Sequence, residues 1–155
     1  MNEALELRQA VEADAPAIRA LTREAYAKWV PTIGREPKPM TADYVEAVRN
    51  HRIGLLFLNG KLAALIEMIP KVDHLLIENI AVSPALQNSG LGRKLMAYAE
   101  HVAASFGHIE TKLYTNKLFA ENVRFYRKLG YTVDREEAFK GGLTVYMSKQ
   151  VRPSD

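Results

Sequence analysis

The stretch Gln87-Asn88-Ser89-Gly90-Leu91-Gly92-Arg93 gathers two glycines, two amides and a guanidinium within a single short segment. It follows the apolar run Ile80-Ala81-Val82-Ser83-Pro84 and precedes a helical apolar pattern that begins at Leu91. A strand therefore feeds a short loop, and the loop feeds a helix N-terminus. Such a terminus exposes unpaired N–H groups at the positive end of the helix dipole, an arrangement that favours phosphate. Gly90 and Gly92 let the backbone approach an anion with no Cβ in the way. The spacing excludes two common phosphate loops. A dinucleotide fingerprint needs a third glycine where Leu95 stands, and a P-loop needs Lys-Ser/Thr where Arg93-Lys94 stand. On these residues alone a plain strand-to-helix turn fits equally well.

A second group comprises Asn116, Asn122 and Tyr126. Asn122 and Tyr126 are four residues apart and share a helix face. Taken alone, a core tyrosine and a capping or surface asparagine account for them. Glu78 interrupts an otherwise apolar strand just before the glycine loop. Burial without a partner would raise its carboxyl toward the range a general base needs. The structural alternative is a carboxylate paired with Arg or Lys, or capping a neighbour. Asn79 falls on the opposite strand face and reads as structural. Tyr26, Trp29 and the segment from Pro31 to Met40 form a third group. Pro31, Pro37 and Pro39 stiffen it, and Trp29, Ile33 and Met40 either wall a pocket or simply connect two helices. Arg35 and Lys38 there suggest an acceptor bearing a carboxylate. His51, His74, His101 and His108 show no metal-ligand spacing, and the chain has no cysteine, so no metal site is expected.

These residues need elements to hold them. Leu5 to Ala10 reads as a strand. Asp14 reads as the N-cap of a helix that carries Ile18, Leu21, Ala25 and Trp29 and runs to about Lys28, with Pro16 in its first turn. Thr41 reads as the cap of a second helix through Tyr44, Val45 and Val48. Ile53–Leu58, Asn59-Gly60 and Lys61–Ile69 form a hairpin, because Asn-Gly supplies the positive φ that a tight turn requires. His74–Val82 is a central strand, with Leu76, Ile80 and Val82 on one face and Leu75, Ile77 and Ala81 on the other. Leu91 to Phe106 is a long amphipathic helix, and Ile109–Thr115 is a strand. Phe119–Leu129 is a helix stopped by Gly130. Tyr131–Arg135 and Leu143–Lys149 are the last strands, joined through Gly141-Gly142. Alternation of strands and helices in the second half predicts a mixed three-layer α/β sandwich, and 155 residues suit one domain, 1–155.

Composition limits the partners. The 21 basic and 18 acidic residues leave a formal charge of +3, which does not imply nucleic acid. Between Ala85 and Lys128, however, Arg93, Lys94, Lys112, Lys117, Arg124, Arg127 and Lys128 face only Glu100, Glu110 and Glu121, which suits a small anionic ligand or simply a solvated helix face. No recognition helix or aromatic stacking set is present, so no nucleic-acid partner is expected. No apolar run is long enough to span a bilayer, and Met1-Asn2-Glu3-Ala4-Leu5-Glu6 lacks a basic region followed by an apolar core. A cytoplasmic protein with no membrane partner is the expectation.

The string Gln87-x-x-Gly90-x-Gly92 after a strand resembles the pyrophosphate loop of the GNAT superfamily of N-acetyltransferases. Glu121-Asn122-x-x-Phe125-Tyr126-x-Lys128-Leu129-Gly130-Tyr131 resembles that superfamily's second signature, and it lies one helix and one strand further on. The likeness runs from Asp14 to Lys149 in element order and is specific over Leu76–Arg93 and Asn116–Tyr131. It implies a mixed, mostly antiparallel sheet of six to seven strands flanked by about four helices. It also implies acetyl-CoA as cosubstrate. The backbone of Ile80, Ala81 and Val82 would bond the pantetheine arm like an added strand. Gln87 would orient the loop, and the amides of Asn88, Ser89, Gly90, Leu91, Gly92 and Arg93 would cradle the diphosphate. Asn116 and Asn122 would also serve the cofactor, and Tyr126 would stand near the sulfur. The acceptor, entering between the first two helices past Tyr26, Trp29, Ile33 and Met40, would be a small-molecule amine or a protein amino group. Many relatives pair, so a homodimer is compatible.

Acetyl transfer needs a neutral amine, a stabilised oxyanion and a departing thiolate. An alkylammonium titrates near about 10.4, so a base must take its proton, and Glu78 is the candidate. Tyr126 could supply a proton to the sulfur, and a backbone N–H of Ile80–Val82 could stabilise the oxyanion. Without cysteine, direct attack in a ternary complex is favoured over an acetyl-enzyme. A non-catalytic acyl-CoA-binding domain is the alternative.

Overall fold

Period-two alternation of apolar side chains builds the sheet. In β2 (Arg52–Leu58), Ile53 and Leu55 lie in one buried cluster and Leu56 in the other. In β3 (Lys61–Pro70), Leu65 joins the first cluster, whereas Ala64, Ile66 and Met68 join the second. The remaining elements, in a computed structural model that describes residues 4–152, are β1 (Leu5–Gln9), α1 (Ala15–Tyr26), α2 (Val30–Ile33), α3 (Lys38–Thr41), α4 (Tyr44–Asn50), β4 (Leu75–Val82), α5 (Leu91–Ser105), β5 (Glu110–Asn116), α6 (Ala120–Lys128), β6 (Thr132–Phe139) and β7 (Gly142–Gln150). Met1–Glu3, part of the stretch considered for a leader, lie outside the described residues.

The strands form one mixed sheet in the order β1-β2-β3-β4-β5-β7-β6. Every neighbouring pair is antiparallel except β4 and β5, which are parallel. Helices α1 and α4 cover one face through Ile18, Leu21, Ala25, Tyr44 and Ala47. Helices α5 and α6 cover the other through Leu95, Met96, Ala99, Val102 and Tyr126. The three-layer sandwich expected from the sequence is the observed architecture. Four helices reach seven residues or more, and α2 and α3 are single turns. Among the described residues no helix is long and apolar enough to cross a membrane.

Local chemistry departs from expectation in several places. Asp14 stands at the N-cap position of α1, as expected, but its side chain makes no capping hydrogen bond. Its carboxylate instead accepts the Val11 N–H at 2.8 Å and the Arg8 guanidinium at 2.8 and 2.9 Å. The hydrogen bond from Arg8 holds the Asp14 carboxyl below its ordinary value. A carboxyl lowered in the folded state adds stability above its unfolded value, and that stability is lost as pH falls through the folded one. Asp14→Asn should therefore lower the urea midpoint at neutral pH, and the gap from the parent should close below about pH 4. A gap independent of pH would show that the pair contributes no charge term. Thr41 likewise ends α3 rather than capping α4; Asp43 caps α4 by accepting the Glu46 N–H at 3.2 Å. Pro31 sits in the first turn of α2, which closes at Gly34 with φ +73°. The final hairpin turns at Lys140-Gly141, both with positive φ, so β6 extends to Phe139.

The most consequential departure is in β4. Glu67 pairs with Asn79 and Met68 with Ile77, so Glu78 is an extra residue, a β-bulge. A bulge reverses the alternation downstream of it. Leu75 and Ile77 therefore share the α5 face with Ile80 and Val82, and Glu78 and Asn79 point to the same side, toward α1 and α4. The sequence-based assignment of opposite faces to Glu78 and Asn79 fails for this reason.

Candidate active site

Strands β4 and β5 pair only over Leu75–Ile77 and Thr111–Leu113. Beyond that, Glu78–Val82 and Tyr114–Asn116 continue without pairing one another. The sheet is thus split at its centre, starting at the bulge, and a cavity opens on each side of the split. Tyr26, at the end of α1, borders both.

The first cavity, about 700 Å³, lies between the end of β4, the start of α5 and helix α6. Ile80, Ala81, Val82, Gln87, Asn88, Gly90, Gly92, Arg93, Asn122 and Tyr126 all line it, so the structure brings most of the expected cofactor residues together. Gly90 takes φ +90° as the N-cap of α5, with no side-chain cap, which leaves the first N–H groups of α5 for an outside acceptor. A Cβ on Gly92 would stand 3.3 Å from the Phe125 ring, so glycine lets α6 pack against the loop. Gln87 donates to the Val82 carbonyl at 3.2 Å and ties the loop to β4. Lys28 donates to Gln87 Oε1 at 3.1 Å and to Glu121 Oε2 at 3.2 Å, joining α1's end to the loop and to α6. Arg124 and Lys128 add positive charge to the lining. Arg124 and Lys128 belong to the basic cluster that the sequence marks for a small anionic ligand, whereas Lys28 lies outside that segment and carries no local signal. The Tyr126 side chain is 6% exposed, and its hydroxyl has no hydrogen-bond partner among the described residues. Burial pushes that hydroxyl above its ordinary value.

The second cavity, about 660 Å³, lies on the other face between α3, α4 and the split. Glu78 lines it, with a side chain 17% exposed. The Tyr114 hydroxyl donates to Glu78 Oε1 at 2.8 Å, and the Lys38 ammonium lies 3.6 Å from the same oxygen. Burial, and then the hydrogen bond to Glu78, raise the Tyr114 hydroxyl. Glu67, opposite Asn79, is buried in the same wall and meets His51 Nδ1 at 2.6 Å. Burial raises the Glu67 carboxyl, and the hydrogen bond to His51 opposes that rise. Asn79 accepts from the Tyr26 hydroxyl at 2.9 Å and donates to the Tyr44 hydroxyl at 3.4 Å, which fixes the two tyrosines over the cavity. Glu67, His51, Tyr44 and Tyr114 were not found from sequence. Glu67 sits in a nearly continuous apolar run, and that interruption was the one legible sign.

Several expected site residues lie elsewhere. Asn116 lines the second cavity rather than the first, because β5 is displaced across the split; its Oδ1 accepts the Leu118 N–H at 2.9 Å. Ser89 lines neither cavity, since its hydroxyl turns back to the Leu86 carbonyl within the loop. Leu91 is 6% exposed and belongs to the core under α5. Met40 is 4% exposed and also lines neither cavity, because α3 turns its side chain inward. Trp29 lines the first cavity, not the second; its ring stacks on Phe119 at 4.5 Å, and Phe119 lines the second. Of the expected acceptor residues, Tyr26, Ile33 and Glu78 line the second cavity.

Comparison with known proteins supports the same architecture. A GNAT-family protein from Desulfovibrio desulfuricans superposes with a TM-score of 0.81 at 20% identity, over 96% of this chain and 100% of that one. The PaiA N-acetyltransferase from Thermoplasma acidophilum, determined in complex with coenzyme A, gives 0.81 at 19% identity, over 95% and 99%. The ribosomal-protein-S18-alanine N-acetyltransferase from Escherichia coli gives 0.74 at 20% identity, over 98% and 97%. At these identities the likeness is one of fold. A search of curated proteins returned no match. The sequence model of the acetyltransferase (GNAT) family matches residues 16–131. With that match over most of its length, the chain belongs to the GNAT family of acetyltransferase enzymes.

Proposed function

We propose that this enzyme acetylates a primary amine that enters through the second cavity, with acetyl-CoA seated in the first. The observation that carries this reading is the split between β4 and β5, which gives two facing cavities one shared border at Tyr26. The first cavity suits the cosubstrate: uncapped N–H groups at Gly90 and the guanidinium of Arg93 fit a diphosphate, and the unpaired edge of Glu78–Val82 fits an amide-bearing arm. PaiA, of the same fold, was determined with coenzyme A. When bound, acetyl-CoA supplies an activated acetyl group and a sulfur leaving group.

The residues of this chain then divide the work. Glu78 takes the proton of the acceptor ammonium at its carboxylate, while Tyr114 fixes the orientation of that carboxylate. A backbone N–H of the Ile80–Val82 stretch left unpaired on the β5 side would stabilise the developing oxyanion. Tyr126, in the lining of the first cavity, would offer its hydroxyl to the leaving sulfur. The lining of the second cavity favours a cationic acceptor. Asp43, Glu46, Glu67 and Glu78 outweigh Lys38 there, and Arg35 stacks over Phe139 instead of standing free for a carboxylate.

Calorimetry with acetyl-CoA, followed by thiol detection with a panel of amines, tests this reading. Saturable binding and amine-dependent thiol release are expected. No binding overturns the assignment of the first cavity, and binding without release to any amine overturns the proposed transfer to a primary amine.

A further inference from the structure

One charged side chain of the second cavity has no part in the mechanism above. Lys38 is the only lysine that lines this cavity among the described residues. It opens the single turn of α3 between Pro37 and Pro39, whose rings fix φ on either side of it. The turn is anchored three ways. Met40 N–H donates to the Pro37 carbonyl at 2.9 Å, Arg23 donates to the Met40 carbonyl at 2.8 Å, and the Tyr44 hydroxyl donates to the Pro39 carbonyl. The backbone under Lys38 is therefore tied to both α1 and α4. Its ammonium stands 3.6 Å from Glu78 Oε1, the atom assigned above to receive an acceptor's proton. The Lys38 side chain is 75% exposed, so this pairing is loose and the side chain remains free to move. Lys28, in the first cavity, differs: Gln87 and Glu121 both hold it.

We propose that Lys38 is itself an acetyl acceptor, modified in cis by the site it lines. The inference rests on the acetyltransferase reading above and adds a modification site to it. The Lys38 ammonium gives its proton to Glu78. The freed nitrogen lone pair forms the N–C bond at the acetyl carbon, the C–S bond breaks, and its electron pair leaves with sulfur. Sulfur ends as the thiol, with the proton returned through solvent, and the second amine proton is released. The product, an N-acetyl-lysine at position 38, is neutral. It no longer competes with an external ammonium for Glu78, so the modified enzyme should bind amine acceptors more tightly.

The test incubates the full chain with acetyl-CoA and follows each lysine by peptide mass spectrometry. Lys38 is expected to be acetylated about 10²-fold faster than the exposed Lys61 and Lys71, as a tethered nucleophile beside a base should be. Its rate is expected to stay constant as the protein is diluted. An added alkylamine is expected to slow Lys38 acetylation while being acetylated itself, since both need the same place. Glu78→Gln is expected to bring Lys38 down to the rate of the other lysines, with a melting curve to confirm that the variant is folded. Acetylation of Lys38 no faster than that of Lys61 and Lys71, or a rate that rises with protein concentration, overturns the proposal. Thiol release to external amines in the same samples separates the outcomes. Release without Lys38 modification refutes this inference alone, whereas binding with no release to any amine refutes the transferase reading beneath it.

Discussion

Glu78→Gln is expected to lower kcat by about 10²- to 10⁴-fold, the usual range for loss of a positioned general base. The affinity for acetyl-CoA should stay near the parent's, because Glu78 lines only the second cavity. The control is Glu67→Gln in the same wall. Glu67 is 4% exposed and already hydrogen-bonded to His51, whereas Glu78 carries a bulge-exposed carboxylate within reach of an ammonium, as Lys38 demonstrates. The Glu67 substitution should therefore cost far less turnover. The opposite ranking would move the base to β3 and bring His51 into the mechanism. The pH profile would then report it. Burial raises the Glu67 carboxyl and His51 lowers it, so His51→Gln would shift the acid limb of kcat/KM to higher pH. With Glu78 as base, His51→Gln should leave that limb in place.

Tyr126→Phe is expected to lower kcat by about 10- to 10²-fold, with little change in acetyl-CoA affinity. The size follows from what the hydroxyl can do. A thiol titrates near about 8.5, whereas burial holds Tyr126 above the ordinary tyrosine value of about 10. Full proton transfer from Tyr126 to the departing sulfur is therefore uphill. A hydroxyl that keeps its proton would still donate a hydrogen bond to the developing negative charge, an interaction of about 1.5–3 kcal/mol. Phenylalanine keeps the ring packing against Phe125 and Tyr131, so the fold should be unaffected. A parent-like kcat would reduce Tyr126 to a packing residue.

The parts of the site that were legible are those written in local signals. The Gln87–Arg93 loop, the Asn59-Gly60 turn and the helix carrying Asn122 and Tyr126 are each specified by residues within a few positions of one another. The first cavity follows from them once the layers are assembled. The second cavity is built from side chains distant in sequence. Glu67, Glu78 and Tyr114 come from three separate strands and His51 from the turn between α4 and β2, and nothing local joins them. The bulge at Glu78 was equally hidden. Strict alternation is the simplest reading of Leu75–Val82, and the extra residue becomes visible only in the pairing with β3. Strand β6 runs past Arg135 with no mark in the sequence, because its residues are exposed throughout and lack the apolar alternation that signals a strand. The place of Met40 is hidden for a related reason. An apolar residue in a proline-rich connector fits a pocket wall or the core equally well, and the anchoring of α3 decides for the core.

The interruption at Glu78 gives the two halves of β4 different tolerances to substitution. Leu75 and Ile77 are hydrogen-bonded to strands on both sides and lie 0% and 3% exposed, so truncating them should show up as lost protein, through melting and expression. Asn79, Ile80, Ala81 and Val82 have a neighbour on one side only and border the cavities, so changes there should show up first as altered catalysis in a well-folded enzyme. A mutational scan along this one strand would thus switch its dominant phenotype within two positions.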